Sequence, residues 1–284
     1  MTMAGPRLPG EAAARWLLAL GLALLAAGTA LHLSGWNAPW MLALSAGGAS
    51  YGVQMLWSSL TVAGFGWSCL VLLLAADRRD GALVVLLLPL VMVTGAVTHG
   101  LKAWWATTRP AGSVIGEQLV VVGDRIQGLG STPSGHALAA AATAALLVLW
   151  FARPGWGWAR PTLVLVLGGL VAVSRVPVGA HWPSDVTLGM GLGLLSALAV
   201  VRLWQLPPLA RLWGRLGART ASPRGQRWVA VAEIGVVVGL LATPTGYPLG
   251  WPMEVALTGL GLGSAAFRWR RASAATALQR GADA

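Results

Sequence analysis

The residues able to do chemistry fall in three short stretches: Lys102 to Pro110, Ser131 to His136, and Ser174 to Asp185. Lys102 and Arg109 are two helical turns apart, so both cations share a face if the helix runs on to Thr108. Pro110 then ends it. Two cations on one face suit an anion. Pro133, Ser134 and Gly135, ahead of an Ala-rich run, read as a helix start with Ser134 near the cap. Free N–H groups and the helix dipole bind phosphate at such a position, and Gly135 lets an oxyanion approach the backbone. His181 and Asp185 are one turn apart on a helix that Pro183 is suited to open. Asp185 is then placed to accept the proton on one His181 nitrogen, leaving the other nitrogen as a nucleophile. His136, at the other helix start, is placed to protonate a leaving oxygen.

The elements that position these residues must be membrane helices. Of 284 residues, 56% are hydrophobic and only 10% charged, where a soluble domain carries about 25% charged residues. Mean hydropathy is +0.68. A soluble enzyme and a disordered chain are disfavoured, and Cys69, the single cysteine, excludes a disulfide scaffold. Eight apolar runs stand out, at about 12–32, 55–76, 81–101, 134–151, 161–174, 186–203, 228–243 and 252–267. The first resembles a signal peptide but is long for one, and a retained helix is the reading taken. The last two read as two spans, with a re-entrant hairpin as the alternative.

The net charge is +11, and nineteen of the twenty basic residues are Arg. They cluster at the ends of apolar runs, which fits membrane orientation and not nucleic-acid binding. With the N-terminus inside, the inner segments collect Arg7, Arg78, Arg79, Arg153, Arg160, the Arg cluster of 204–227, Arg268, Arg270, Arg271 and Arg280. The outer segments keep only Lys102, Arg109, Arg125 and Arg175, three of which lie in the chemical stretches. The expected fold class is therefore all-α, a polytopic transmembrane bundle. Its expected divisions are a six-span core over 1–205, an Arg-rich cytoplasmic linker over 206–227, and a C-terminal hydrophobic pair with a basic tail over 228–284.

The three stretches together resemble the signature motifs of the type 2 phosphatidic acid phosphatase superfamily, which includes vanadate haloperoxidases. The pattern is Lys, six residues, Arg-Pro; then Pro-Ser-Gly-His; then Ser-Arg, five residues, His, three residues, Asp. Every defining position matches, in order, within about residues 50–205. The resemblance implies that Lys102, Arg109 and Arg175 hold the phosphate oxygens, with Ser134 and Gly135 in the same cradle. It implies that His181 attacks phosphorus to give a phosphohistidine, Asp185 orients it, and His136 protonates the leaving group. It implies no cofactor and no metal, the three cations standing in for one. A six-span bundle with the site on its outer side is implied too, and the last two runs lie beyond that core.

Plainer roles compete at several positions. Ser134 reads equally as a helix cap. His99 is expected to be packed or to stand behind the site, and His32 to lie at the interface. Glu233 and Glu254 are open between pairing with Arg and lining a polar path. Asp124 and Arg125 lie in the outer loop within reach of a headgroup. The Trp residues flanking the runs form an aromatic belt. The leading function is hydrolysis of a lipid phosphate or diphosphate at the outer leaflet, of the undecaprenyl diphosphate, phosphatidylglycerol phosphate or phosphatidic acid type. The partners expected are that lipid and the membrane. A phosphotransferase, a haloperoxidase and a non-catalytic lipid-phosphate binding or transport protein are the alternatives.

Overall fold

The computed structural model describes residues 11–77, 81–151 and 157–282. Arg7, Arg78, Arg79 and Arg153, and the side chain of Arg280, lie outside the described residues. Eleven α-helices and two short 3-10 turns make up the regular structure there, with no strand. In chain order the helices are α1 (Glu11–Leu33), α2 (Asn37–Leu44), α3 (Tyr51–Ala63), α4 (Gly66–Ala76), α5 (Ala82–Trp105), α6 (Gly135–Phe151), α7 (Ala159–Val173), α8 (Pro183–Trp204), α9 (Pro207–Ala221), α10 (Pro223–Ala242) and α11 (Trp251–Ala282). The protein is an all-α membrane bundle. Helices α1, α5, α8 and α10 are each long and apolar enough to cross a membrane, and α3 and α4, bent by 67° at their break, reach that length and apolarity only as a pair.

Helix α6 shows why length alone misleads. It has only 17 residues, and Ala137, Leu138, Ala141, Ala145 and Leu146 are buried around its whole circumference. A helix that is apolar on every side belongs in a core. It packs chiefly against α8 and α7, and also against α1, α4 and α5, around a cluster that includes Leu17, Leu73, Leu83, Leu146 and Leu194. Small residues allow the closest approach. A Cβ on Gly193 of α8 would lie 2.3 Å from the Leu138 carbonyl of α6, and one on Gly189 would lie 2.7 Å from the Ser134 carbonyl. The two helices therefore meet backbone to backbone at the end where the motifs lie.

Three features differ from expectation. Helix α5 stops at Trp105 instead of continuing to Thr108, because Ala106 takes a left-handed conformation (φ 42°) and its N–H closes onto the Lys102 carbonyl at 3.1 Å. Lys102 and Arg109 thus do not share a helix face. The second run is two helices, broken at Gly64–Phe65. The segment expected as a linker is helical as well. Pro207 opens α9, and its exposed Arg211, Arg215 and Arg219 recur every fourth residue, one turn apart, opposite partly buried Trp213 and Leu216. The Thr220 hydroxyl ties α9 to the Gly81 carbonyl at 2.8 Å. Such a charged-and-apolar helix suits a membrane surface.

The C-terminal helices α10 and α11 pack on each other and on α4. Glu233 pairs with Arg268 at 3.1 Å, both buried, and Arg268 also donates to the Leu74 and Asp77 carbonyls at the end of α4. The other acid of this region, Glu254, accepts from the Thr245 hydroxyl at 2.9 Å.

Candidate active site

The three motifs meet because the chain ties them together pairwise. After Ala106 reverses the chain, residues 107–109 run back beside 128–131. The Arg109 N–H donates to the Gly128 carbonyl and the Ser131 N–H to the Thr107 carbonyl, each at 3.0 Å. This joins the first motif to the second. The Trp182 indole donates to the Thr108 carbonyl at 2.8 Å, which joins the first to the third. The Ser134 N–H donates to the Asp185 carbonyl at 3.0 Å, which joins the second to the third. The last of these bonds lies between two buried residues, where the Asp185 carbonyl would otherwise lack a partner.

His181 sits at the centre, buried, just ahead of α8. Its Nε2 lies 3.3 Å from Arg109 Nη1, and its Nδ1 lies 3.5 Å from Asp185 Oδ2. A guanidinium only donates, so Nε2 must be the acceptor and the ring proton must sit on Nδ1, facing Asp185. Burial drives the His181 pKa down to about 3; the hydrogen bond to Asp185 raises it by less, and the charge of Arg175 lowers it further. The ring is neutral near pH 7, with a lone pair on Nε2.

Asp185 is held from four directions. Pro183 opens α8, and Asp185, three residues past the Trp182 cap, accepts the Trp182 N–H at 3.0 Å. The Ser131 and Thr132 hydroxyls donate to its two oxygens, and Thr107 in turn donates to Thr132 at 2.7 Å. The carboxylate cannot turn away from His181 without breaking these bonds.

The cations surround this pair. Lys102, in the last turn of α5, extends its ammonium to the Gly130 and Ser131 carbonyls. Arg109 also donates to the Ala180 carbonyl at 3.1 Å. Arg175 is 2% exposed, and its Nε and Nη1 are buried without a hydrogen-bond partner. Burial lowers the pKa of Arg175 from its ordinary value, though an arginine there remains charged. Lys102 feels the like charges of Arg109 and Arg175 against the single carboxylate of Asp185. Three cations facing one acid leave an excess of positive charge that an anion would neutralise.

Ser134 caps α6, its hydroxyl accepting the Ala137 N–H at 3.4 Å, so that oxygen is engaged in holding the helix. Gly135 is the first residue of α6, where N–H groups lack intrahelical acceptors. His136 follows, with its ring centroid 5.8 Å from that of Phe65 at the α3–α4 break, and within electrostatic reach of Arg175, His181, Arg109 and Lys102.

The remaining residues singled out by sequence stand apart. His99 is exposed on α5, facing outward instead of being packed. Arg125 is turned onto the Leu119 and Gly116 carbonyls, a loop-holding role. Ser174 bonds Thr61 at 2.8 Å and holds α7 to α3. Sequence reasoning assigned no role to Ser131, Thr132 or Thr107, although hydroxyls beside Pro133 in so apolar a chain were a signal. It also missed Tyr247, whose ring lies 5.1 Å from the Arg175 guanidinium carbon.

An all-helical membrane bundle whose helix ends gather three cations around a carboxylate-bound histidine is the architecture of a phosphatase of the type 2 phosphatidic acid phosphatase kind. The chain belongs to the PAP2 superfamily, whose family model matches residues 82–207. It is 30% identical over 161 residues to an undecaprenyl-diphosphatase of Sulfolobus acidocaldarius, a match covering 57% of this chain and 69% of that protein. It is 39% identical over 79 residues to the bacitracin transport permease protein BcrC of Bacillus licheniformis, covering 28% of this chain and 35% of that one. No solved structure matches. The protein is a lipid phosphatase of this family.

Proposed function

We propose that this chain hydrolyses a lipid phosphate or diphosphate at the outer leaflet through a phosphohistidine on His181. The observation that carries the reading is the His181 ring, with Nδ1 toward Asp185 and Nε2 beside Arg109 at 3.3 Å. Nε2 attacks phosphorus while Lys102, Arg109 and Arg175 hold the non-bridging oxygens, helped by the α6 start at Ser134 and Gly135. The bond from phosphorus to the leaving oxygen breaks, and His136 gives that oxygen a proton. Water then attacks the phosphohistidine, His136 takes its proton, and the P–N bond breaks to release phosphate and restore His181.

The outer placement rests on the charge distribution. The motif ends of α5, α6 and α8 carry few basic residues beyond the site itself, while exposed Arg211, Arg215 and Arg219 lie on α9, which follows the opposite end of α8. Basic residues stay on the inner side of a membrane. On this reading residues 1–205 are the catalytic core, and both termini and α9 lie inside. A bacterial inner membrane is the setting it fits. Undecaprenyl diphosphate, the substrate in the name of the Sulfolobus relative, is the first to try.

The test is phosphate release by the detergent-purified protein, in EDTA, over undecaprenyl diphosphate, phosphatidylglycerol phosphate and phosphatidic acid. Release that vanishes in His181→Ala is the expected result. Release that persists in that variant refutes the nucleophile. No release from any lipid, with the phosphate instead appearing on an added acceptor lipid, assigns a phosphotransferase.

A further inference from the structure

The family match ends at residue 207, yet a residue far beyond it reaches the site. Tyr247 lies in the turn between α10 and α11 and is 2% exposed. Its ring covers the Arg175 guanidinium at 5.1 Å, close enough for a cation–π contact. Its hydroxyl oxygen is placed to accept from the neighbouring Arg175 guanidinium, but neither the phenol proton nor Nε and Nη1 of Arg175 has an acceptor. Buried donors are almost always paired, so these call for an acceptor. A guanidinium only donates and a phenol donates readily, so the missing partner is rich in acceptors. A phosphoryl group with three non-bridging oxygens supplies them.

The turn that carries Tyr247 is fixed, not draped. The Asp124 N–H donates to the Gly246 carbonyl at 2.8 Å. Gly246 has φ +75°, and a Cβ on Gly123 would lie 2.3 Å from the Gly246 carbonyl. Tyr247 packs with Val62, Val122, Val178 and Ala180, the last immediately ahead of His181. The outer loop, the third motif and the C-terminal turn are thus one interlocked wall.

We propose that Tyr247 is a phosphate-binding residue, its hydroxyl donating to a non-bridging oxygen of the phosphoryl group that Arg175 holds. The C-terminal pair α10 and α11 is then part of the active site. This rests on the reading of the cation cluster as a phosphate site, and the test separates the two.

The probe is inorganic orthovanadate, titrated by calorimetry into the full-length protein in detergent and into Tyr247→Phe and Tyr247→Leu, with lipid phosphate turnover measured alongside. Tyr247→Phe keeps the ring and removes only the hydroxyl, so it should melt like wild type. It should weaken vanadate binding about tenfold, the scale of one hydrogen bond to a charged group. KM for the lipid should rise with it, and Tyr247→Leu should bind more weakly still. Wild-type vanadate affinity in Tyr247→Phe overturns the proposal whatever the turnover. Weakened vanadate binding with no turnover of any lipid, even in wild type, supports the proposal and refutes hydrolysis. Wild-type protein that binds no vanadate overturns both.

Discussion

Arg109 Nη1 lies 3.3 Å from His181 Nε2, so the cation and the nitrogen assigned as nucleophile are in direct hydrogen-bond contact. The contact has two consequences. It fixes the tautomer, because only an unprotonated Nε2 can accept from a guanidinium. It also marks a contact that substrate must replace, since phosphate oxygens compete for the same Nη1 proton while phosphorus approaches Nε2. The Arg109 bond to the Ala180 carbonyl holds the guanidinium near the site during that exchange.

Asp185→Asn is expected to lower turnover by about a thousandfold or more, the scale seen when a histidine loses the carboxylate that sets its tautomer. An amide can donate a proton toward Nδ1, which puts the ring proton on Nε2 and removes the attacking lone pair. The measurement is kcat for phosphate release. A drop of less than about tenfold would mean that Asp185 acts only as a helix cap.

Ser131→Ala should reduce kcat about tenfold with KM little changed, because the Ser131 hydroxyl meets Asp185 and, at 3.5 Å, His181 Nδ1, on the side of the ring away from the attacking Nε2. Its hydroxyl is one of those that aim the carboxylate, and the others remain. A rise in KM without loss of kcat would instead place Ser131 in the phosphate cradle.

The motifs and the apolar runs were legible because each rests on local pattern: a Pro that opens a helix, an Asp one turn from a His, a span-length apolar segment. What joins them was not. The left-handed Ala106 breaks α5 at a residue type that favours helix, and the reason is tertiary: the chain must turn back so that Thr107 and Arg109 can pair with Ser131 and Gly128. The amphipathic α9 lay hidden under its Gly, Pro and Arg content. Tyr247 gave no signal at all, since its partner Arg175 is 72 positions earlier and tertiary packing, of α10 and α11 on α4 and of the turn on the 122–124 loop, brings them together.

Acid should destabilise the protein through His181. Its pKa is about 3 in the folded chain against the ordinary 6.5. Between those values the unfolded chain binds a proton at this ring that the folded chain refuses, so stability falls as pH drops from 6.5 toward 3. One group contributes at most about 1.4 kcal/mol per pH unit to this slope. His181→Gln removes the contribution. Melting temperatures in detergent, taken from about pH 6.5 down to about pH 4, should fall more steeply for wild type than for the variant. Parallel curves would mean that the ring is not held neutral.

Gly193→Ala should damage both stability and turnover, while Gly169→Ala should damage neither. A Cβ at 193 meets the Leu138 carbonyl at 2.3 Å, a backbone atom with no rotamer to escape into, whereas nothing lies within 4 Å of one at 169. Forcing α6 and α8 apart costs about 1–3 kcal/mol by the scale of core overpacking. The same separation strains the bond from the Ser134 N–H to the Asp185 carbonyl, which joins the second motif to the third. Gly189→Ala sits one turn nearer that bond, with its Cβ 2.7 Å from the Ser134 carbonyl. For an equal loss of melting temperature, it should therefore lose more turnover than Gly193→Ala. If the two variants lose activity only in proportion to stability, the α6–α8 contact holds the fold together without tuning the site.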